Sequence, residues 1–215
     1  MSRIAVVGGH GKVARHLHPL LAAAGHRPVA LVRREEYRAE LEGKGAEVRL
    51  LDVEGEDAAG FAEAFEGCHA VVFAAGGGPN SGAARKETVD KGAAILLADA
   101  AEKAGVRRYV MVSSMGADAA DPTSEDVFQV YLRAKKAADD DVRSRDLDWT
   151  VVRPGRLTDD AGTGRLTVGT LGRGQVPRAD VAATLLGVLH TPSTVGATFD
   201  LLGGDTPVDE ALASL

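Results

Sequence analysis

Three observations predict an α/β fold built on a doubly wound, mainly parallel sheet of about seven strands. Short Val- and Leu-rich runs alternate with helix-like stretches along the whole chain. The first run, Ile4 to Val7, feeds directly into Gly8-x-x-Gly11-x-x-Ala14. An amphipathic stretch follows at once, carrying Val13, Leu17, Leu20, Leu21 and Ala24 on one face and stopping at Gly25, where a helix C-cap belongs.

The elements follow in order. Strand-like runs occupy residues 3–7, 28–32, 47–51, 70–74, 108–113, 149–153 and 198–202. Each is short and nearly continuously apolar, the pattern of a strand covered on both faces. Helix-like stretches lie near 12–24, 35–42, 58–66, 87–104, 127–145 and 179–189, and residues 208–215 form a last short helix. Pro19 predicts a kink or a locally irregular turn in the first helix. Residues 155–177, rich in Gly and Thr, are the longest irregular stretch and read as a functional lid. There is no internal repeat and no linker-like boundary. With 215 residues and 45% apolar content, the chain is expected to fold as one domain over residues 1–215.

Composition narrows the function classes. No apolar run approaches the ~20 residues that cross a bilayer, and the N-terminus lacks the basic-then-apolar shape of a secretion signal. Cys68 is the only cysteine, so no disulfide forms within the chain. Together these features predict a cytoplasmic protein that engages no membrane. A formal net charge of −6 argues against non-specific nucleic-acid binding. None of the six histidines falls in a His-Glu-x-x-His pattern, and no metal is expected. The expected partner is a small-molecule substrate. Apolar helix faces leave a homodimer open, although nothing specifies one.

The glycine turn points to the chemistry. Small residues let the backbone turn sharply after a strand and approach a ligand closely. The following helix aims its free amides and positive dipole end at that ligand. A diphosphate is the natural occupant, and an ordinary strand-to-helix turn is the alternative. The second strand ends at Arg33 and Arg34, where a carboxylate would bind the ribose diol of NAD. An arginine there clasps a 2′-phosphate instead. At roughly 1.5–3 kcal/mol for a hydrogen bond to a charged group, NADP is expected to bind about 10- to 100-fold tighter than NAD. The competing reading pairs both arginines with Glu35 and Glu36 on a solvated turn. Asp52, with Val53 beside it, ends the third strand where the adenine edge should lie, or else serves as a plain turn residue or helix cap.

Further motifs follow in order: Ala-Gly76-Gly, Val-Asp90-x-Gly92-Ala, Arg-Tyr-Val-x-Val-Ser113-Ser114, Tyr131-x-x-x-Lys135 and Trp149-Thr-Val-Val-Arg-Pro154-Gly155-Arg156-Leu157. The whole string resembles the atypical short-chain dehydrogenase/reductase superfamily, in particular its small NAD(P)H-binding members often labelled epimerases or flavin reductases. The resemblance spans nearly the whole chain and implies a Rossmann fold with NADP lying across the strand ends. It implies that Gly8, His10, Gly11, Lys12 and Val13 surround the diphosphate. Ala74, Ala75 and Gly76 would line the ribose side, and Pro154, Gly155 and Arg156 would border the nicotinamide.

Tyr131 and Lys135 are four apart on an expected helix and so share one face. In carbonyl reduction the lysine bonds the ribose hydroxyls and lowers the tyrosine pKa, while the tyrosine donates a proton as hydride arrives. Ser114 is placed to hold the substrate oxygen at the end of the fifth strand, and Ser113 beside it is assigned to the cofactor. The bland readings are a packing tyrosine, a solvated lysine and a strand-ending serine pair. Residues 76–82 either shape the pocket mouth or form a simple loop. Arg156, Arg165 and Arg173 either draw in an anionic substrate or are ordinary surface arginines. Asp139-Asp140-Asp141 reads as a solvated helix face, and Cys68 and the histidines other than His10 as structural. The leading expectation is an NADPH-dependent oxidoreductase acting on a small carbonyl, quinone or flavin. Alternatives are a non-catalytic NADP(H) redox sensor and a nucleotide-sugar epimerase. The epimerase ranks lowest, because only 13 residues follow the seventh expected strand and such enzymes usually carry a larger substrate domain.

Overall fold

The computed structural model describes residues 1–76, 82 and 86–215, with residue 87 as backbone only. The strands in chain order are β1 (Arg3–Val7), β2 (Arg27–Val32), β3 (Glu47–Leu50), β4 (Ala70–Phe73), β5 (Arg108–Val112) and β6 (Asp148–Pro154), then β7 (Arg156–Thr158), β8 (Arg165–Gly169), β9 (Gln175–Pro177), β10 (Ala197–Gly203) and β11 (Thr206–Pro207). Nine of them form one sheet in the order β11-β8-β10-β6-β5-β4-β1-β2-β3, and β7 pairs separately with β9. From β10 to β3 every pairing is parallel.

The helices are α1 (Lys12–Ala23), α2 (Arg38–Glu42), α3 (Ala58–Ala64), α4 (Ala94–Lys103), α5 (Val127–Arg143), α6 (Arg178–His190) and α7 (Val208–Ala213). A wide, π-helical stretch from Lys86 to Ala93 leads into α4. Alternate strand residues divide between two cores. Ala5, Val7, Val71, Phe73 and Met111 pack with α3, α4 and α5. Ile4, Val6, Val72 and Val110 pack with α1 and α6. Burying one Leu or Phe side chain stabilises by about 1.5–3 kcal/mol, so this two-sided burial drives the fold. No described helix is long and apolar enough to cross a membrane.

The seven expected strands all form, but the sheet has nine. The stretch 155–177 is correspondingly not irregular: it contains β7, β8 and β9. Strand β8 runs antiparallel to β10, and β11 antiparallel to β8. Only Leu166 of β8 is fully buried. A half-buried strand near the sheet edge, lying among glycines, carries little apolar signal, which is why composition conceals it. The first helix runs on through Pro19, whose ring lies on the exposed side. Gly25 closes that helix with φ of +80°, and the His26 amide donates to Leu21 O at 2.9 Å, a Schellman-type cap.

Register fixes where a ligand can lie. Val7 pairs with both Leu31 and Phe73, and Phe73 with Met111. The carboxyl ends of β2, β1, β4 and β5 therefore share one level. The chain leaves β1 for α1 on one side of the sheet and β4 for α4 on the other, so a crevice opens at this switch point.

Candidate active site and cofactor cradle

At that crevice Gly8 adopts φ of +76°. A Cβ there would lie 2.7 Å from Ala75 Cα, so neither the conformation nor the space admits another residue. The Gly11 amide donates to Gly8 O at 2.7 Å and closes the turn. The buried His18 on α1 donates from Nε2 to the Gly9 carbonyl at 2.7 Å. Burial holds the His18 pKa below its usual value, so the neutral ring braces the turn from beneath. Gly11 caps α1 without a side-chain bond, and the first turn of the helix has no acidic residue. Its amides are left to an anion, as a diphosphate cradle requires.

The remaining cradle residues divide. Lys12 is exposed and its Nζ lies 2.6 Å from Asp159 Oδ2, while Val13 packs partly into the core beneath. His10 turns toward the end of β2, stacking on Tyr37 with ring centroids 3.6 Å apart and planes 2° from parallel. Its Nε2 also lies 3.0 Å from Glu40 Oε2, and Arg15 pairs with the other oxygen of that carboxylate at 2.7 Å. These partners hold the Glu40 carboxyl below its usual range, the His10 bond acting most strongly.

Of the two arginines at the end of β2, Arg34 pairs with Glu36 at 3.1 Å and sits 6.0 Å from the Tyr37 ring centroid. Arg33 is exposed and makes no ion pair with the described residues. The solvated-turn reading thus describes Arg34 and leaves Arg33 available. Asp52 is exposed and accepts from the Glu54 amide at 3.1 Å, ending β3 in a turn with Val53 half-buried. Ala74 and Ala75 are half-buried and Gly76 exposed on the far side of the crevice. Residues 77–81 lie outside the described residues, so the expected pocket-mouth segment is described only at Gly76 and Gly82.

Beneath the ends of β4 and β5 Tyr131 and Lys135 share one helix face, but Lys135 is neither a solvated surface lysine nor open to a ribose; it belongs to a buried ionic group. Lys135 is 3% exposed; its Nζ donates to Val112 O at 3.1 Å and lies 3.3 Å from Asp90 Oδ1. Lys86 approaches the other Asp90 oxygen at 3.9 Å. Tyr131 is half-buried above them, its ring centroid 5.0 Å from Lys86 Nζ and 5.8 Å from Lys135 Nζ. Both charge partners come from the π-helical stretch, a distortion that recurs at functional sites. The motif containing Asp90 was visible in the sequence, but its pairing with a residue 45 positions away was not.

The two serines point differently. Ser113 is buried, its amide donating to Val152 O at 2.8 Å, and its hydroxyl lies beside Asp139. Ser114 is half-buried, and among the described residues its hydroxyl makes only a long 3.3 Å contact with the Met115 carbonyl. Ser114 is therefore the hydroxyl nearer to free use.

Beyond β6, Pro154 O accepts from the Met115 amide at 3.0 Å, Gly155 N donates to Leu201 O at 3.0 Å, and Arg156 N to Gly174 O at 2.9 Å. A Cβ on Gly155 would meet Gly174 O at 2.6 Å, so glycine is what lets these segments converge. Arg156 itself extends into solvent.

The Asp139–Asp141 run is not a solvated face. Asp139 is fully buried and receives Arg153 at 2.8 Å, while Asp118 binds the same guanidinium. Burial pushes the Asp139 carboxyl above its usual range, opposed by its Ser113 and Arg153 partners. Asp140 and Asp141 do pair at the surface, with Lys136 and Arg145. A cleft of about 500 Å³, bordered by Met115, Asp118, Arg153, Arg173 and Asp200, opens beside this group. It includes neither the glycine turn nor Tyr131, so it adjoins the crevice rather than forming it.

A parallel sheet with a glycine-turn cradle at its switch point and an arginine at the end of β2 defines a Rossmann-type nucleotide-binding protein. The chain belongs to the NAD(P)H-binding family, whose profile matches residues 8–192, and is of the atypical short-chain dehydrogenase/reductase kind. It is 36% identical over 215 residues to the Bacillus subtilis protein named "Uncharacterized sugar epimerase YhfK", covering 99% of this chain and all of that one. A Bacillus halodurans structure named for the NAD-dependent epimerase/dehydratase class is 39% identical, covers both chains fully and superposes with a TM-score of 0.93. ChuY of Escherichia coli O157:H7, named an anaerobillin reductase, is 26% identical over 95% of this chain and 98% of its own, with a TM-score of 0.79.

Proposed function

We propose that this protein is an NADPH-dependent reductase that delivers hydride to a small carbonyl, quinone or flavin. Arg33 is the observation that carries the preference for NADPH: an exposed guanidinium at the end of β2, without an ion pair among the described residues, where NAD enzymes need a carboxylate. In this reading the amides opening α1 bind the diphosphate and Arg33 clasps the 2′-phosphate. The bound cofactor supplies hydride from its nicotinamide. Ser114 hydrogen-bonds the substrate oxygen, and the Tyr131 hydroxyl gives it a proton. Lys135 acts from beneath, through its pairing with Asp90, as the charged floor of the site. Steady-state NADPH oxidation with quinone, flavin and aldehyde acceptors tests the reading. Tyr131→Phe is expected to lower carbonyl turnover about 100-fold or more with NADPH affinity unchanged; undiminished turnover removes the acid role.

Two observations favour other uses of the same cradle. Lys135 is buried on Asp90 rather than open to a ligand, which suits an NADP(H) sensor that catalyses nothing. Partner capture with and without NADPH tests that reading, and an unchanged partner set removes it. The two most similar relatives described carry epimerase names. An epimerase regenerates its cofactor each cycle, so net NADPH consumption with an acceptor argues against it.

A further inference from the structure

Lys12 and Arg178 are the first residues of α1 and α6, two helices that share one sheet face and pack in one core. Their side chains meet on a single carboxylate: Lys12 Nζ lies 2.6 Å from Asp159 Oδ2, and Arg178 Nη1 lies 2.6 Å from Asp159 Oδ1. Asp159 follows β7 directly and is 61% exposed, so no burial forces this arrangement. Lys12 holds Asp159's carboxyl below its usual range, with Arg178 adding to the effect.

The charges do not balance. Two cations face one carboxylate, and the opening of α1 adds uncapped amides and no acidic residue. A diphosphate linkage, carrying two negative charges, would match the pair of cations where a single carboxylate leaves one unmatched. We propose that Arg178 is a second side-chain ligand of the cofactor diphosphate, and that Asp159 is a built-in competitor occupying both cations until the diphosphate displaces it. This rests on the NADPH reading above. It adds a residue about 165 positions from the glycine turn, which no motif in the sequence marks. It also makes the segment after β7 responsive to the cofactor, because Asp159 loses both partners when the diphosphate binds.

Calorimetric titration with NADPH of the wild type, Asp159→Asn and Arg178→Gln tests this, with adenosine 2′-monophosphate as a ligand that lacks the diphosphate. Asp159→Asn is expected to tighten NADPH about three- to tenfold, since it removes the competitor and a nearby negative charge. Arg178→Gln is expected to weaken NADPH about tenfold and to leave adenosine 2′-monophosphate unchanged. If Asp159 merely positions Lys12, Asp159→Asn will weaken NADPH, and that result overturns the proposal. Unchanged NADPH affinity in Arg178→Gln, or an equal loss for both ligands, overturns it as well. A wild type that binds no NADPH would instead remove the underlying cofactor reading. Thermal melts of both variants verify that they fold.

Discussion

At the scale of single residues, the charge at the end of β2 was legible but its division was not. The sequence shows two adjacent arginines followed by two glutamates. Only the fold shows Glu36 taking Arg34 and Glu35 taking Arg38, which leaves Arg33 exposed. Arg33→Ala is expected to weaken NADPH by about 10- to 100-fold and to leave NADH unchanged, as read by calorimetry. Tyr37 was invisible as a site residue, because its stacking on His10 depends on how the turn after β2 swings back. His18 read only as structural, and its role is to brace Gly9. Its burial lowers its pKa from the ordinary 6.5. The unfolded chain therefore takes up a proton at a pH where the folded chain does not. Stability from this group is complete above about pH 6.5 and falls as pH drops below it, by up to about 1.4 kcal/mol per pH unit until the folded His18 also protonates. Urea unfolding at pH 7.5 and 5.5 should show that loss in the wild type and a smaller one in His18→Gln. Equal pH dependence in both would contradict this assignment.

At the scale of elements, helix α5 shows what periodicity reveals and what it hides. The four-residue spacing put Tyr131 and Lys135 on one face, as found, but did not show that the face is buried at Lys135. The partner that makes burial tolerable, Asp90, comes from a different element, and a lone sequence cannot report a pairing across that distance. Asp139 misleads for the same reason. In a run of three aspartates it looks solvated, yet Arg153 from β6 draws it fully inside. Removing one partner of a buried pair strands the other charge, so Asp139→Ala is expected to cost about 3–5 kcal/mol in chemical denaturation. A loss below about 1 kcal/mol would mean that Asp118 alone satisfies Arg153. Strand β8 went unread because a strand with one fully buried residue lacks the apolar density of the central strands.

At the scale of the whole molecule, the alternation of apolar runs with helical stretches was enough for the parallel sheet, its two covered faces and the position of the crevice. All seven expected strands form, because a strand covered on both faces must be nearly continuously apolar and so announces itself. The antiparallel edge, β8 and β11, and the small β7–β9 pair were beyond reach, because each is short and buries only one residue fully or none, Leu166 in β8 and Val176 in β9. The glycine turn was legible because tight backbone approach restricts residue type at fixed spacing, and Gly8 against Ala75 shows that restriction directly. The central claim is that this crevice holds NADPH, selected by Arg33. Calorimetric titration of the wild-type protein with NADPH and, separately, NADH tests it most directly. The expected result is saturable 1:1 binding with NADPH about 10- to 100-fold tighter than NADH. Equal affinities would demote Arg33 to a surface residue, and no binding of either would contradict the cofactor reading as a whole.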